Sequence, residues 1–218
     1  MNRRQLLLNT FISTAGLTAI PKVALAKACL NLKTPAQTAG PFYPIADQAD
    51  KDADLVLIEG SDKLAVGKIV IVEGYLTDQH CLPVKNALVE IWQACQSGRY
   101  NHASDPNISA ELDPNFQYWG KSLTNADGFY RFRTIIPGSY PADENWSRPP
   151  HIHFKVSKLG YHELITQMYF TGEKLNEKDL ILMRLSPSDQ KKVIVEFKVA
   201  SQKSYPTGLF NIQIEKVE

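Results

Sequence analysis

From Lys68 onward the sequence runs in short β-branched and aromatic segments, each closed by a turn, and this pattern limits the fold more than any other feature. KIVIVEGYL follows Gly67 and stops at Thr77-Asp78. ALVEIWQAC alternates. Leu88, Glu90, Trp92 and Ala94 share one face, and Val89, Ile91, Gln93 and Cys95 the other, because successive strand side chains point to opposite sides. GFYRFRTII follows the turn Asn125-Ala126-Asp127, and HIHFKVS, ELITQMYF, KVIVEFKVA and GLFNIQIEKV complete the series. Only EKDLILMRL and SPSDQKK suit a helix, the second with Ser186 as a cap beside Pro187. Strands this short, with no regular alternation of long amphipathic helices, predict an all-β fold. The expected form is a two-sheet β-sandwich with few short helices. Ahead of it, CLNLKTPAQTAGPFYP has no period, and its prolines favour an extended N-terminal arm. The polar stretch from Ile45 to Gly67 carries a weak strand signal at Leu55 to Ile58. The chain divides on this reading into an export signal (1–26), an arm and linker (27–67) and the sandwich domain (68–218).

The first residues belong to a different regime. Arg3 and Arg4 precede a largely apolar stretch from Leu6 to Ile20, and Ala24-Leu25-Ala26 has the small-x-small form that a signal peptidase reads. Paired arginines followed by Gln5, Leu6 and Leu7 match a twin-arginine signal. The apolar stretch is interrupted by Asn9, Thr10 and Ser13, whereas a spanning helix needs about 20 apolar residues. Export to the periplasm without a stable membrane span is therefore expected. A buried N-terminal helix or an ordinary secretory signal is the alternative. Of the three cysteines, Cys29, Cys81 and Cys95, at most two can pair within the chain, and geometry decides which. Cys29 lies close behind the cleavage signal, but Ala26-Lys27-Ala28 fits a lipid-attachment signal poorly. With a net charge of +1 and no basic run, the chain lacks the electrostatic footprint of a nucleic-acid binder. A small-molecule site is the better expectation.

The segment that carries chemistry is RPPHIHF, from Arg148 to Phe154. On a strand, His151 and His153 face the same side, with Ile152 turned to the other. Pro149 and Pro150 hold the approach extended. Two imidazoles on a rigid strand begin a metal site but do not complete one. Among the five histidines, His80 and His162 lie in polar turns and His102 in a loop. The cysteines lack paired ligand spacing, and no carboxylate stands at helical spacing from the histidines. The remaining oxygen donors are tyrosines: Tyr100, just past the Trp92 strand, and Tyr140, after the turn Pro137-Gly138. A phenol with a reference pKa of about 10 ionises at neutral pH only beside a strongly charged ion, and phenolate oxygen is a hard donor suited to iron(III).

The segments TAGPFYP (38–44), ALVEIWQACQSGRYNH (87–102), LDPNFQYWGKSLTNADGFYRFRTIIPGSYP (112–141), RPPHIHF (148–154) and LITQMYF (164–170) resemble the intradiol ring-cleavage dioxygenases, in particular the protocatechuate 3,4-dioxygenase β-subunit type. That resemblance implies a non-haem Fe(III) held by Tyr100, Tyr140, His151 and His153, and a catechol and dioxygen as substrates. It implies catalytic roles for Arg148, Tyr140 and Gln167, and a substrate mouth at Thr38, Gly40, Pro41, Tyr43 and Trp92. A homo-oligomer or an α-type subunit is the implied partner. The sequence departs from the protocatechuate type at Ala142, where a tryptophan commonly follows the second ligand tyrosine by two residues. TNADGFYRFRTIIPGSY also resembles structural transthyretin-like sandwich domains, in which Tyr130 and Phe132 pack the core. A non-catalytic exported binding module is accordingly the alternative function, with a metal hydrolase using the histidine pair behind it.

Overall fold

The computed structural model describes residues 33–201 and 204–218. The export signal and Cys29 lie outside the described residues. Among the described residues, twelve strands are arranged in two five-stranded sheets and one hairpin. In the first sheet β1 (Ile69–Thr77) pairs antiparallel with β4 (Phe129–Ile135). On its other edge β1 takes β11 (Thr207–Leu209) and β12 (Ile212–Gln213) in parallel, and β10 (Phe197–Lys198) pairs with β11. The second sheet has β2 (Leu88–Trp92) between β3 (Trp119–Leu123) and β7 (His151–Ser157), followed by β8 (Leu164–Phe170) and β9 (Ile194–Val195). The hairpin is β5 (Tyr140–Asp143) and β6 (Trp146–Arg148).

The alternation read from the sequence decides how these sheets pack. Val72 and Leu76 of β1 and Tyr130 and Phe132 of β4 meet Val89 and Ile91 of β2, Ile152, Phe154 and Val156 of β7, and Met168 of β8 in one apolar core. Tyr130 and Phe132 are core residues as expected, and the Tyr130 hydroxyl donates to the Phe210 carbonyl. The opposite face of β2 enters a second apolar cluster that joins Trp92 and Ala94 to Phe42, Tyr100, Trp119 and Tyr140. The second sheet is thus covered on both sides, with the arm and loops forming its outer layer. The arm is tied to β8 by Gln37 N–H donating to the Ile165 carbonyl (2.8 Å) and by Thr166 Oγ1 donating to the Pro35 carbonyl (2.8 Å).

Several sequence expectations need correction. KVIVEFKVA is not one strand. Ser186 caps Asp189 N–H at 3.2 Å and Pro187 starts helix α1 (Pro187–Val193), which takes up the first two residues of that segment. The remainder then changes sheet at Glu196, with β9 in one sheet and β10 in the other. EKDLILMRL is not one helix: it begins at the end of a 3-10 turn, Lys174–Lys178, and contains a second, Leu182–Arg184. Between them Asp179 is extended, with φ −77° and ψ 113°, and its side chain is drawn inward. The signal at Leu55 to Ile58 gives only isolated bridges, Asp54 to Arg133 and Leu57 to Leu64. β3, β5 and β6 had no expectation attached to them. WGKSL and YPAD hold Gly, Lys, Pro and Asp, all depleted in strands, and form strands through tertiary pairing. Cys81 is disulfide-bonded and Cys95 is a buried free thiol. No helix among the described residues is long and apolar enough to cross a membrane.

Candidate metal centre

The centre lies on the outer face of the second sheet, where strand register brings its parts together. His153 on β7 stands opposite Trp92 on β2 and Gln167 on β8, and His151 stands opposite Tyr169. Ile152 and Phe154 point into the core, so the two imidazoles share the outer face, with ring centroids 4.9 Å apart. Trp92 stacks on His153 at 4.8 Å with planes 9° apart, which fixes that ring's plane. Over the same spot, Gly40 of the arm has φ +65°. A side chain there would begin 3.4 Å from His153 Cε1, so glycine supplies both the backbone conformation and a close approach.

Tyr100 and Tyr140 reach this face from two loops joined by their backbones. The Cys95 carbonyl accepts from both Gly98 N–H and Gly138 N–H, each at 3.0 Å. Gly98 has φ +82°, and a Cβ on it would lie 2.3 Å from the Ser139 carbonyl oxygen. Asp105 Oδ2 then accepts from Tyr100 N–H at 2.6 Å, holding the start of the next loop. As a result the two phenol rings stand perpendicular, 5.5 Å apart. Tyr100 Oη lies 3.5 Å from His151 Nε2, and the Tyr140 and His151 rings are 5.7 Å apart. Gly98→Ala should wedge the two loops apart. Overpacking plus the left-handed backbone predicts a loss of at least about 2 kcal/mol. For a chain this size that lowers the melting temperature by about 4–8 °C, which a thermal melt would measure.

Each of the four side chains is buried, with exposures of 3% for Tyr100, 7% for Tyr140 and 2% for both histidines. Burial pushes the Tyr100 phenol well up, and the neighbouring Tyr140 adds to this. Burial also raises Tyr140, against the pull of Arg148. Both imidazoles are held well below their usual range, by burial first and by the Arg148 charge second. The His151 Nδ1–H donates to the Pro149 carbonyl at 2.7 Å, which leaves the Nε2 lone pair facing Tyr100. His153 Nδ1 is buried with no hydrogen-bond partner. Among the described residues no group of three or more His, Cys, Asp or Glu side chains gathers anywhere. A cation in this centre would therefore rely on phenol oxygens, and two hard oxygens with two imidazole nitrogens fit iron(III).

The depressed histidines predict how the protein without a bound cation responds to acid. In the unfolded chain each titrates near pH 6.5. Below that pH the unfolded state binds more protons than the folded one, so stability falls as pH falls. The slope is about 1.4 kcal/mol per pH unit for each histidine until its folded pKa is reached. Melting curves between pH 7 and pH 5 would show the decline beginning near pH 6.5, and a flat profile would contradict the assignment of two buried neutral rings.

Beside the four residues lies a cavity of about 310 Å³, lined in part by Thr38, Gly40, Pro41, Tyr140 and Arg148. That volume is at the small end of small-molecule sites, which span about 300–1,000 Å³. Tyr43 and Trp92 stand outside its lining. Tyr43 packs edge-on against Trp92 at 4.9 Å and its hydroxyl donates to Glu90 at 3.4 Å. Arg148 is 3% exposed and tightly held. Its Nε and Nη2 donate to Asp179 Oδ1 and Oδ2 at 3.1 and 3.2 Å, and Nη2 also reaches Gln167 Oε1 at 2.6 Å and Tyr169 Oη at 3.4 Å. Gln167 Nε2 donates to the Thr38 carbonyl at 2.9 Å, tying the arm to the same network. Asp179, Tyr169, Gln37 and Asp105 were not singled out from the sequence. None has a local signal: Asp179 sits among apolar residues in a helix-like stretch, and only the fold turns it onto Arg148. His80 and His162 are exposed, as expected. His102 is a half-buried loop residue whose Nδ1 accepts from Ser104 N–H at 3.1 Å.

The family model named Dioxygenase matches residues 38–214. The protocatechuate 3,4-dioxygenase beta chain of Burkholderia cepacia is 39% identical over 160 residues, spanning 72% of this chain and 68% of that protein. Catechol 1,2-dioxygenase 2 of Acinetobacter lwoffii is 30% identical over 163 residues, covering 69% of this chain but only 56% of its own length. Among solved structures, an intradiol ring-cleavage dioxygenase from Tetranychus urticae superposes with a TM-score of 0.66 at 25% identity, covering 85% of this chain and 96% of that one.

Proposed function

From its membership in the intradiol ring-cleavage dioxygenase family, we propose that the chain opens a catechol between its two hydroxyl-bearing carbons with dioxygen, giving a cis,cis-muconate-type product. Tyr100, Tyr140, His151 and His153 would hold a non-haem iron(III) in this reading. The observation that carries it is the meeting of these four buried donors, from three separate stretches of chain, beside a cavity that also contains Arg148. Bound iron(III) supplies the Lewis acidity and electron demand that open a catecholate ring to oxygen.

The chain's own residues do the rest. Tyr140 borders the cavity, and once ionised by a bound cation its phenolate oxygen would be placed to accept a catechol hydroxyl proton. Arg148, fixed by Asp179, Gln167 and Tyr169, holds a positive charge where negative charge builds on the ring. Trp92 and Gly40 keep His153 oriented, and Pro149 sets the His151 tautomer. The arm closes one side of the cavity with Thr38, Gly40 and Pro41.

The test is direct. Purified protein should contain iron and show a visible phenolate-to-iron band. With a panel of catechols under oxygen, the product should gain two oxygen atoms and have a muconate spectrum. Colourless protein with stoichiometric zinc and no activity would overturn the reading and favour a binding module. The relative named a beta chain makes an α-type subunit or a second copy of this chain the partner to test by sizing the native protein. We place the mature protein in the periplasm through the Arg3-Arg4 signal. Cell fractionation with N-terminal sequencing checks this, and intact Met1 in the cytoplasm would refute it.

A further inference from the structure

Resting on the catechol-binding reading above, we infer that this site selects uncharged catechols over ring-carboxylated ones. Among the described residues that line the cavity, Arg148 is the one cationic side chain and Asp105 the one carboxylate. The Arg148 charge is already met. Asp179, 0% exposed, grips it through both carboxylate oxygens, and Gln167 and Tyr169 take further contacts. Asp105 has no such counter-charge. It is 7% exposed, and its oxygens accept from the backbone N–H groups of Tyr100 and Asn107 at 2.6 and 2.9 Å. With Asp105 in the wall and Asp179 buried behind it, two carboxylates stand against one guanidinium.

The rest of the wall offers an anion only neutral donors, the Thr38 and Tyr140 hydroxyls and the Trp146 indole N–H, and no second cation. Phe42, Pro106, Trp146 and Ile181 present mainly apolar surface. A carboxylate on the substrate ring would lose its water there, meet no free cation, and face Asp105 as a like charge, which disfavours binding strongly in a desolvated site. A hydrogen or alkyl substituent pays none of these costs and gains apolar contact. Ala142 is small, exposed and on the same wall, so it is the position at which a cation could be added without disturbing the core.

The experiment measures binding apart from turnover. Iron-loaded protein is titrated under argon with catechol, 4-methylcatechol and protocatechuate, and the shift of the visible band gives each Kd. Catechol and 4-methylcatechol are expected to bind at least about tenfold more tightly than protocatechuate. Ala142→Arg is expected to narrow or reverse that gap by tightening protocatechuate alone. Protocatechuate binding as tightly as catechol to the unaltered chain would overturn the charge inference and leave the proposed function standing. A coloured, iron-loaded protein whose band no catechol shifts would instead overturn the catechol-binding reading, and this inference with it.

Discussion

Tyr100→Phe is expected to yield a folded protein with no visible band and no ring-opening activity. The substitution removes one oxygen and nothing else. Tyr100 keeps its ring contacts with Phe42 at 4.5 Å and with Tyr140 at 5.5 Å, and its backbone N–H still donates to Asp105. The lost hydroxyl meets His151 Nε2, at the 3.5 Å limit of a hydrogen bond, and the Tyr140 hydroxyl, so few polar groups are left stranded. Metal-free stability should change by less than about 1.5 kcal/mol. The effect on a bound cation is of a different order. Changes to groups that merely orient ligands cost about 10–100-fold in metal affinity or activity, so losing an anionic donor outright should exceed a hundredfold. Iron content, band intensity and turnover measured together provide the check. Full activity with the band intact would remove Tyr100 from the ligand set and require another oxygen donor in its place.

How much of this was legible beforehand depended on whether a residue's role is local. The His151–His153 pair was readable because a two-residue period on a strand is a property of the strand itself. β7 spans His151–Ser157, the stretch HIHFKVS. The opposite faces of ALVEIWQAC were readable for the same reason, and they enter two different apolar clusters. Tyr100 and Tyr140 carried no such local mark. Their meeting depends on Gly98 and Gly138 letting two loops touch backbone to backbone, a tertiary fact that only the resemblance anticipated. KVIVEFKVA misled because its β-branched run hid a competing local signal, the Ser186 cap and Pro187, which carries a helix through Val193. The Tyr43 ring braces Trp92 at 4.9 Å, and its arm neighbours Gly40, Pro41 and Phe42 line the cavity that Tyr140 and Arg148 border.

Asp179 is where the sequence was least informative and where the structure predicts the second large effect. Asp179→Ala should cost about 3–5 kcal/mol, because it leaves the Arg148 guanidinium buried without its counter-charge. The expected fall in melting temperature is roughly 6–20 °C. Ion pairing alone does not make the pair stabilising, since removing two charges from water is itself expensive. The pair is therefore separated from its surroundings by a second variant. Asp179→Leu combined with Arg148→Met should recover most of the lost stability, because it removes both charges from the interior, and should remain inactive, because no cation then faces the reacting ring. Asp179→Asn provides a finer test. It retains a single acceptor oxygen, which can keep Arg148 Nε and the Ile181 N–H that both now bond Asp179 Oδ1 at 3.1 and 3.2 Å, but it withdraws the negative charge and sets an NH2 donor against Arg148 Nη2, which now donates to Oδ2. If Asp179 acts only as a structural strut, Asn should lower stability and leave kcat per folded molecule unchanged. If it positions Arg148 for the reaction, kcat should fall while the visible band of the iron-loaded protein persists, since none of the four ligand candidates contacts Asp179 directly. A double variant that regained both stability and turnover would show that neither charge serves the chemistry, and would leave Arg148 as a core residue that happens to border the cavity.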